Sequence, residues 1–243
     1  MPITQDQIDA LAALKCAVSY NRYGAYCVPL ESQHRPAVRK ILAGDVHEPD
    51  TIEFLRSNCS DGDIVHAGTY FGDFLPALSQ GIAPGAKVWA FEPNSESYRC
   101  AKATVLLNDI ANVELFNAGL GARRETLPLL TIDPNGVTRG GASRLISGNP
   151  PPTGHTEMVP IVTIDEVIPL DRRVSIIQLD VEGHEQPALA GAMRTISRCY
   201  PIIVVEILAD STQLSSNWFT ENIVHLGYRH TGFVDGNAVF LPE

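Results

Sequence analysis

Near the start of the chain, Ile8, Leu11, Leu14 and Val18 recur three or four positions apart behind Thr4, a residue suited to capping. That spacing predicts an amphipathic helix over residues 4–20. The stretch "NRYGAYCVPLESQHRPAVRKILAGDVHEPD" mixes Pro and Gly with aromatic and basic residues. It reads as a loop-rich cover with one short helix near Pro36–Leu42. "PDTIEFLRSNCSDGD" is a further helix, stopped by Asp61-Gly62. Residues 1–55 are therefore expected to form an N-terminal helical and loop cover, and residues 56–243 the main domain.

From Asp63 onward the pattern changes. Short apolar runs alternate with helical patterns of ten or more residues. The runs are "DIVHAG", "AKVWAFE", "NVELFNAGL", "VSIIQLD" and "PIIVVEIL". The helical segments between and after them are "FGDFLPALSQ", "SESYRCAKATVLLND", "EQPALAGAMRTISR" and "LSSNWFTENIVHLG". "YRHTGFV" and "NAVFLP" close the chain as a hairpin around Asp235-Gly236. Such alternation predicts an α/β fold with a parallel sheet covered by helices on both faces. Residues 121–162 break the rhythm with many Gly and Pro, and read as a meander or a long functional loop.

Composition narrows the function. A chain of 243 residues suits one α/β domain with an extension. With 44% hydrophobic and 19% charged residues it can build a core. The net charge of -10 disfavours nucleic acid and anionic membrane as partners. No apolar run approaches the roughly 20 residues of a membrane span. "MPITQDQIDA" does not read as a secretory signal. The cysteines at 16, 27, 59, 100 and 199 include no CxxC pair, so reduced thiols in a cytoplasmic protein are expected. The oligomeric state is open, a homo-oligomer included.

In open parallel sheets, ligands bind at the carboxyl ends of the strands. The first strand ends in "HAGTYFGDF", where Gly68 and Gly72 frame a turn that lets a ligand approach the backbone. The second ends in Glu92, twenty positions after Gly72, the offset expected of an acid that accepts ribose hydroxyls. An ordinary strand–helix turn and an exposed strand-end Glu are the plain alternatives. Together the two features point to a nucleoside-containing ligand. NAD would call for a fuller Gly-x-Gly-x-x-Gly. S-adenosylmethionine (SAM) needs only a glycine turn, a ribose acid and an adenine slot after the third strand, where "NAGLG", Asn117 to Gly121, lies.

"IVHAGTYFGDF", "WAFEPN", "NAGLG", "VTIDEV" and "LDVEGHEQPALAGA…YPIIVVEI" resemble, in order and spacing, the FkbM family of SAM-dependent methyltransferases. The resemblance spans about residues 45–207 and is most specific at "DVEGHE" followed by L-x-G-A. It implies a Rossmann-like seven-stranded methyltransferase sheet. It also implies O-methylation of a hydroxyl on a sugar, polyketide or related small molecule. The cofactor would then touch His66, Gly68, Thr69, Tyr70, Gly72, Glu92, Pro93, Asn117, Ala118 and Asp180. Two departures stand out. The family's first motif usually reads D-x-G-A-N-x-G, and here His66 replaces the acid and Tyr70 the Asn. Gln178 stands where a Lys is common.

"LDVEGHE" carries the chemistry or only solvated charge. In a strand, Asp180 and Glu182 point to one face, and Gly183 lets the chain turn into the next helix. His184 ranks first as general base, because an imidazole titrates near neutrality. Glu182 would orient it or replace it, and Asp180 would face the cofactor or the acceptor. Glu185 fits a helix-start charge whatever the function. Asp180, Glu182, His184 and Glu206 also suit an oxygen-rich Mg²⁺ or Mn²⁺ site, a minority reading. For the acceptor, Arg35, Arg139 and Arg144 would suit a carboxylate or phosphate, with solvated surface arginines as the alternative. Ser143 resembles a Ser common in the family's loop. Rival functions are an NAD(P)-dependent oxidoreductase, a metal-dependent hydrolase on a Rossmann-like sheet, and a catalytically silent SAM-binding protein.

Overall fold

The computed structural model describes residues 14–146, 148, 153–208 and 213–243. Its first elements are strands β1 (Cys16–Asn21) and β2 (Gly24–Pro29), paired antiparallel. The helix expected over residues 4–20 is therefore corrected at its C-terminal part; residues 4–13 lie outside the described residues. The reason is tertiary. Ala25 to Val28 form a buried run in β2 that needs a ladder partner, and β1 supplies it. The other edge of β2 is held by Asn108, whose Oδ1 accepts from Ala25 N at 2.9 Å while Nδ2 donates to Ala25 O at 2.6 Å.

Helices α1 (Pro36–Leu42) and α2 (Pro49–Asn58) follow, each opened by a proline that fits a first helical turn. Asp235 caps α2 from the far end of the sequence: its Oδ2 accepts from Asp50 N at 3.0 Å and Thr51 N at 2.9 Å. Then come β3 (Asp63–Ala67), α3 (Leu75–Gly81), β4 (Val88–Phe91), α4 (Ser95–Leu107) and β5 (Val113–Phe116). Asn94 caps α4, its Oδ1 accepting from Glu96 N and Ser97 N, each at 3.0 Å. After the insertion described below come α5 (Ile164–Val167), β10 (Val174–Leu179), α6 (Glu185–Ala190), α7 (Met193–Cys199), β11 (Ile202–Glu206) and α8 (Asn217–Asn222). The hairpin of β12 (Tyr228–Val234) and β13 (Asn237–Pro242) ends the chain, as its turn residues predicted.

The main sheet has seven strands in the order β12-β13-β11-β10-β3-β4-β5. Pairing is parallel from β11 through β5, and β13 runs antiparallel. Alternation puts Ile64, Val88, Ile176 and Val204 on one face, packed with Ile52, Leu55, Leu75 and Leu78 of α2 and α3. Val65, Phe91, Ile177 and Leu179 face the other way, against Leu189, Ile196 and Phe219 of α6, α7 and α8. The expected Rossmann-like seven-stranded sheet with helices on both faces is thus present. Strand order reverses between β3 and β10, and the site lies there.

Two expected elements are split. The helix drawn over "EQPALAGAMRTISR" breaks at Gly191, where a Cβ would lie 2.0 Å from Gly121 O. "NVELFNAGL" supplies β5 and then β6 (Gly119–Leu120), which belongs to a second sheet. That sheet, ordered β6-β9-β7-β8, is the insertion at 121–162: β7 (Glu125–Ile132), β8 (Arg144–Leu145) and β9 (His155–Val162). The β1–β2 hairpin and α1 pack through Tyr26, Val28, Val38 and Ile41 onto Phe71 and Ala103, roofing the end of β3.

Candidate active site

The turn after β3 is shaped by conformations that only a few residues accept. Gly68 sits at φ +85, and a Cβ there would lie 1.8 Å from Asp180 O, so the end of β10 touches bare backbone. Gly72 sits at φ +81 against Ala101 of α4. Gly68 N and Thr69 N both donate to Phe91 O, at 3.1 and 3.2 Å, which staples the turn to β4. Glu92 then closes it: Oε2 accepts from Tyr70 N at 2.7 Å and Oε1 from Asn94 N at 2.8 Å. Burial pushes the Glu92 carboxyl up to about 8, against the pull of those two amides. Asn117 Nδ2 ties the same corner, donating to Glu92 O at 2.9 Å and Pro93 O at 3.1 Å. Between these groups lies a slot of about 30 Å³, lined by Phe91, Glu92, Pro93, Ala118, Leu145 and Val181 among others.

A larger cavity of about 320 Å³ lies beyond Gly68. Gly68, Gly141 and Asp180 line both spaces, so the two share a wall. Its floor gathers carboxylates. Asp180, Glu182 and Glu206 each bring an oxygen to within 4.8 Å of the others. Burial first, and the Glu206 and Glu182 charges next, hold Asp180 well above the usual carboxylate range. Burial and Glu206 push Glu182 up to about 7, while Arg139 and Arg35 oppose them. Burial and Glu48 raise Asp73 to about 7. Glu182 takes a left-handed conformation at φ +54, followed by Gly183 at φ +96.

His66 forms part of the same wall. It is paired in register with Gln178 across β3 and β10, and its Nδ1 lies 2.5 Å from Gln178 Oε1. An amide oxygen only accepts, so Nδ1 holds the proton and Nε2 is left as an acceptor. The ring stacks on Phe74 at 5.3 Å, and burial pulls its pKa down to about 4, leaving it neutral. Among the described residues, His66 Nε2, Arg35 Nε, Tyr70 Oη and Glu206 Oε2 are buried polar atoms of residues lining this cavity without a hydrogen-bond partner.

The sequence itself matches a known family over this region: residues 66–229 fit the Methyltransferase FkbM domain. The chain belongs to that family. A methyltransferase FkbM structure from Methylobacillus flagellatus KT aligns with TM-score 0.54 and 17% identity, over 97% of this chain and 59% of that one. This chain thus spans about three-fifths of that protein's length, and the likeness shows the fold. A SAM dependent methyltransferase from Aquifex aeolicus aligns at TM-score 0.44 and 14% identity, over 87% of this chain and 94% of that one. A tRNA (uracil-54, C5)-methyltransferase from Pyrococcus abyssi, in complex with S-adenosyl-L-homocysteine, aligns at TM-score 0.48 and 12% identity, over 93% and 44% of the two chains. No curated protein sequence matches.

The FkbM domain brings most of the expected residues together. Glu92, Pro93, Ala118 and Ser143 line the slot, while His66, Tyr70, Glu182, Glu206 and Arg35 line the cavity. Thr69, Gly72 and Asn117 shape the turn and line neither space. His184 is placed elsewhere. The chain turns at Glu182 and Gly183, so the imidazole lies beside Gly121, where an added Cβ would be 3.5 Å from Nε2. It lines neither the slot nor the cavity, and this corrects its grouping with the carboxylates. Glu185 is a structural acid: its Oε1 accepts from Gly183 N at 3.0 Å and Val181 N at 3.2 Å. Ser143 Oγ donates to Gly140 O at 2.7 Å and accepts from Asn94 Nδ2 at 3.1 Å. Glu48 and Asp73 were missed as lining residues; each is a single acid in the segment just before a helix. Tyr70, expected from the glycine motif, lays its ring against Gly141, where an added Cβ would lie 3.0 Å from it. Among the described residues, no helix is long and apolar enough to cross a membrane.

Proposed function

We propose that this FkbM-domain methyltransferase uses SAM to methylate a hydroxyl of a small molecule such as a sugar or polyketide. The observation that carries the reading is the wall of Gly68 and Asp180 that the two spaces share. A slot with a ribose-type acid shares a wall with an acid-lined cavity. The chain's residues fit SAM. Glu92 retains lone pairs for ribose hydroxyls, Pro93 and Ala118 flank a flat base, and Gly68 leaves space that any side chain would fill. Asp180 and Glu206 are acids whose charged forms a bound sulfonium or ammonium would favour.

SAM supplies an activated methyl group, so the protein has to align the acceptor oxygen and remove its proton. Glu182, held near 7, is poised to take that proton at neutral pH, with Asp180 beside it. His184 is not given this role. A net charge of -10 supports a small acceptor over nucleic acid, and reduced cysteines support a cytoplasmic setting. A divalent cation on the oxygens of Asp180, Glu182 and Glu206 is the second reading, favoured by their mutual approach within 4.8 Å.

Calorimetry with SAM and with NAD tests the cofactor. SAM is expected to bind and NAD to give no heat; a flat SAM titration at millimolar concentration overturns the reading. Methyl transfer from labelled SAM to a panel of sugars and hydroxylated metabolites then tests the reaction. Loss of turnover in EDTA, restored by Mg²⁺, would favour the second reading.

A further inference from the structure

The larger cavity has opposite charge on its two sides. Its floor carries Asp180, Glu182 and Glu206, and its roof carries Arg35. Arg35 stands immediately before α1 and lines the cavity, with its Nε buried and unpartnered. Arg139 and Arg144 flank the short turn Gly140–Ala142, whose Gly141 and Ala142 also line the cavity. Arg139 folds back over that turn, its Nε donating to Ala142 O at 2.7 Å. Among the described residues, none of the three has a carboxylate oxygen within the 4.0 Å of an ion pair.

The chain has 28 Asp+Glu against 18 Lys+Arg, so carboxylate partners are available in number. The three charges also act on one another. After burial, Arg144 and Arg35 draw the Arg139 guanidinium down, and Glu182 holds it up. Mutually repelling cations, one with a buried unsatisfied N–H, are relieved by an anion bound among them. Guanidinium forks match the planar oxygens of carboxylate and phosphate.

We propose that Arg35, Arg139 and Arg144 form an oxyanion subsite that binds a phosphate or carboxylate carried by the methyl acceptor. The acceptor class is then an anionic hydroxylated molecule, such as a sugar phosphate or a hydroxy acid. This rests on reading the larger cavity as the acceptor site. The polarity orients the acceptor: its oxyanion is drawn to the roof and its hydroxyl is left facing Glu182 and Asp180. The reversed pose would set an anion against the carboxylate floor. The cofactor's own carboxylate is the other source of the same chemistry. Three guanidiniums offer more donors than one carboxylate can accept, and Arg35 lines the larger cavity but not the slot.

Inorganic phosphate, titrated calorimetrically into the full chain, tests the subsite with and without saturating S-adenosylhomocysteine. Phosphate is expected to bind in both conditions. An Arg35→Gln, Arg144→Gln double variant should weaken it by about tenfold or more, and Arg35→Lys should keep part of the affinity. Unchanged melting temperature checks that the variants fold. No phosphate binding by the wild type, or binding indifferent to the arginines, overturns the subsite. Binding that disappears once S-adenosylhomocysteine is present assigns the arginines to the cofactor and also overturns it. S-adenosylhomocysteine binding, read in the same runs, separates this failure from failure of the cofactor reading.

Discussion

The slot beside Glu92 and the cavity beyond Gly68 share a wall but differ in how their polar atoms are satisfied. In the slot, both oxygens of Glu92 already take backbone N–H groups. Ser143, Asn94 and Asn117 are also tied in. In the cavity, His66 Nε2, Arg35 Nε and Glu206 Oε2 have no protein partner, and several carboxyls are held above their usual range by burial and mutual repulsion. Buried polar groups normally find partners, and exceptions gather where a ligand supplies them. The slot is therefore organised in advance, whereas the cavity is completed by what enters it. Substitutions in the slot should cost stability. Substitutions in the cavity should cost function and leave or even improve stability.

The largest test is Gly68→Ala, at the shared wall. The new Cβ would lie 1.8 Å from a backbone oxygen, at a φ of +85 that alanine disfavours. No flexible side chain can yield there, so β10 and the turn must separate. A loss of roughly 3 kcal/mol in chemical denaturation is expected, together with loss of SAM binding. A variant as stable as wild type would show that the two strand ends are not held as described.

Next comes a paired substitution across the wall. Glu92→Gln sets an amide NH₂ against a backbone N–H, and about 1–3 kcal/mol should be lost. Glu182→Gln removes one charge from a repelling group, so stability should hold or rise at pH 8 while turnover falls about tenfold or more. Equal destabilisation by both would erase the contrast.

The pH dependence follows from the same groups. Glu92, Asp73 and Glu182 are raised to about 8, 7 and 7. Above pH 6.5 the unfolded chain has already released these protons, while the folded chain still binds them. Stability must therefore fall as pH rises from 6.5 to 8, by on the order of 2 kcal/mol from Glu92 alone. His66, depressed to about 4, acts in the opposite sense only below its unfolded value near 6.5. Melting temperatures of the ligand-free protein across pH 6.5–8 check this, and Glu182→Gln should flatten the slope. A rising melting temperature would contradict the buried carboxyls.

The same contrast explains what could be read in advance. Gly68, Gly72 and Glu92 lie within one strand–turn–helix–strand unit, so their spacing reflects their geometry. The sheet was legible because Ile64, Val88, Ile176 and Val204 sit in runs buried on both faces. The cavity was legible only in part. Glu48, Asp73, Glu182 and Glu206 come from four separate segments of the chain, and only the fold brings them together. Arg35 and Arg139 are likewise united by the roof. The first strand was misread because Ile8, Leu11, Leu14 and Val18 satisfy a helical period. What decides Cys16–Asn21 is the unpaired edge of β2, a non-local demand. His184 was misplaced by Gly183: sequence adjacency to Glu182 says nothing about direction once φ is positive at both 182 and 183.

The smallest effect is expected from the residue that sequence alone ranked first. His184 is half-buried beside Gly121, and burial lowers its pKa, with Glu125 opposing. It reaches neither the slot nor the cavity. His184→Ala should remove packing against the end of the insertion and cost about 1 kcal/mol. Turnover at saturating acceptor should stay within about twofold of wild type, because His184 lines neither space. The comparison is sharpest in one assay at pH 7. If His184→Ala is silent where Glu182→Gln is impaired, the base belongs to the cavity floor. If the order is reversed, α6 must shift toward the cavity on ligand binding, and the carboxylates hold charge without moving the proton.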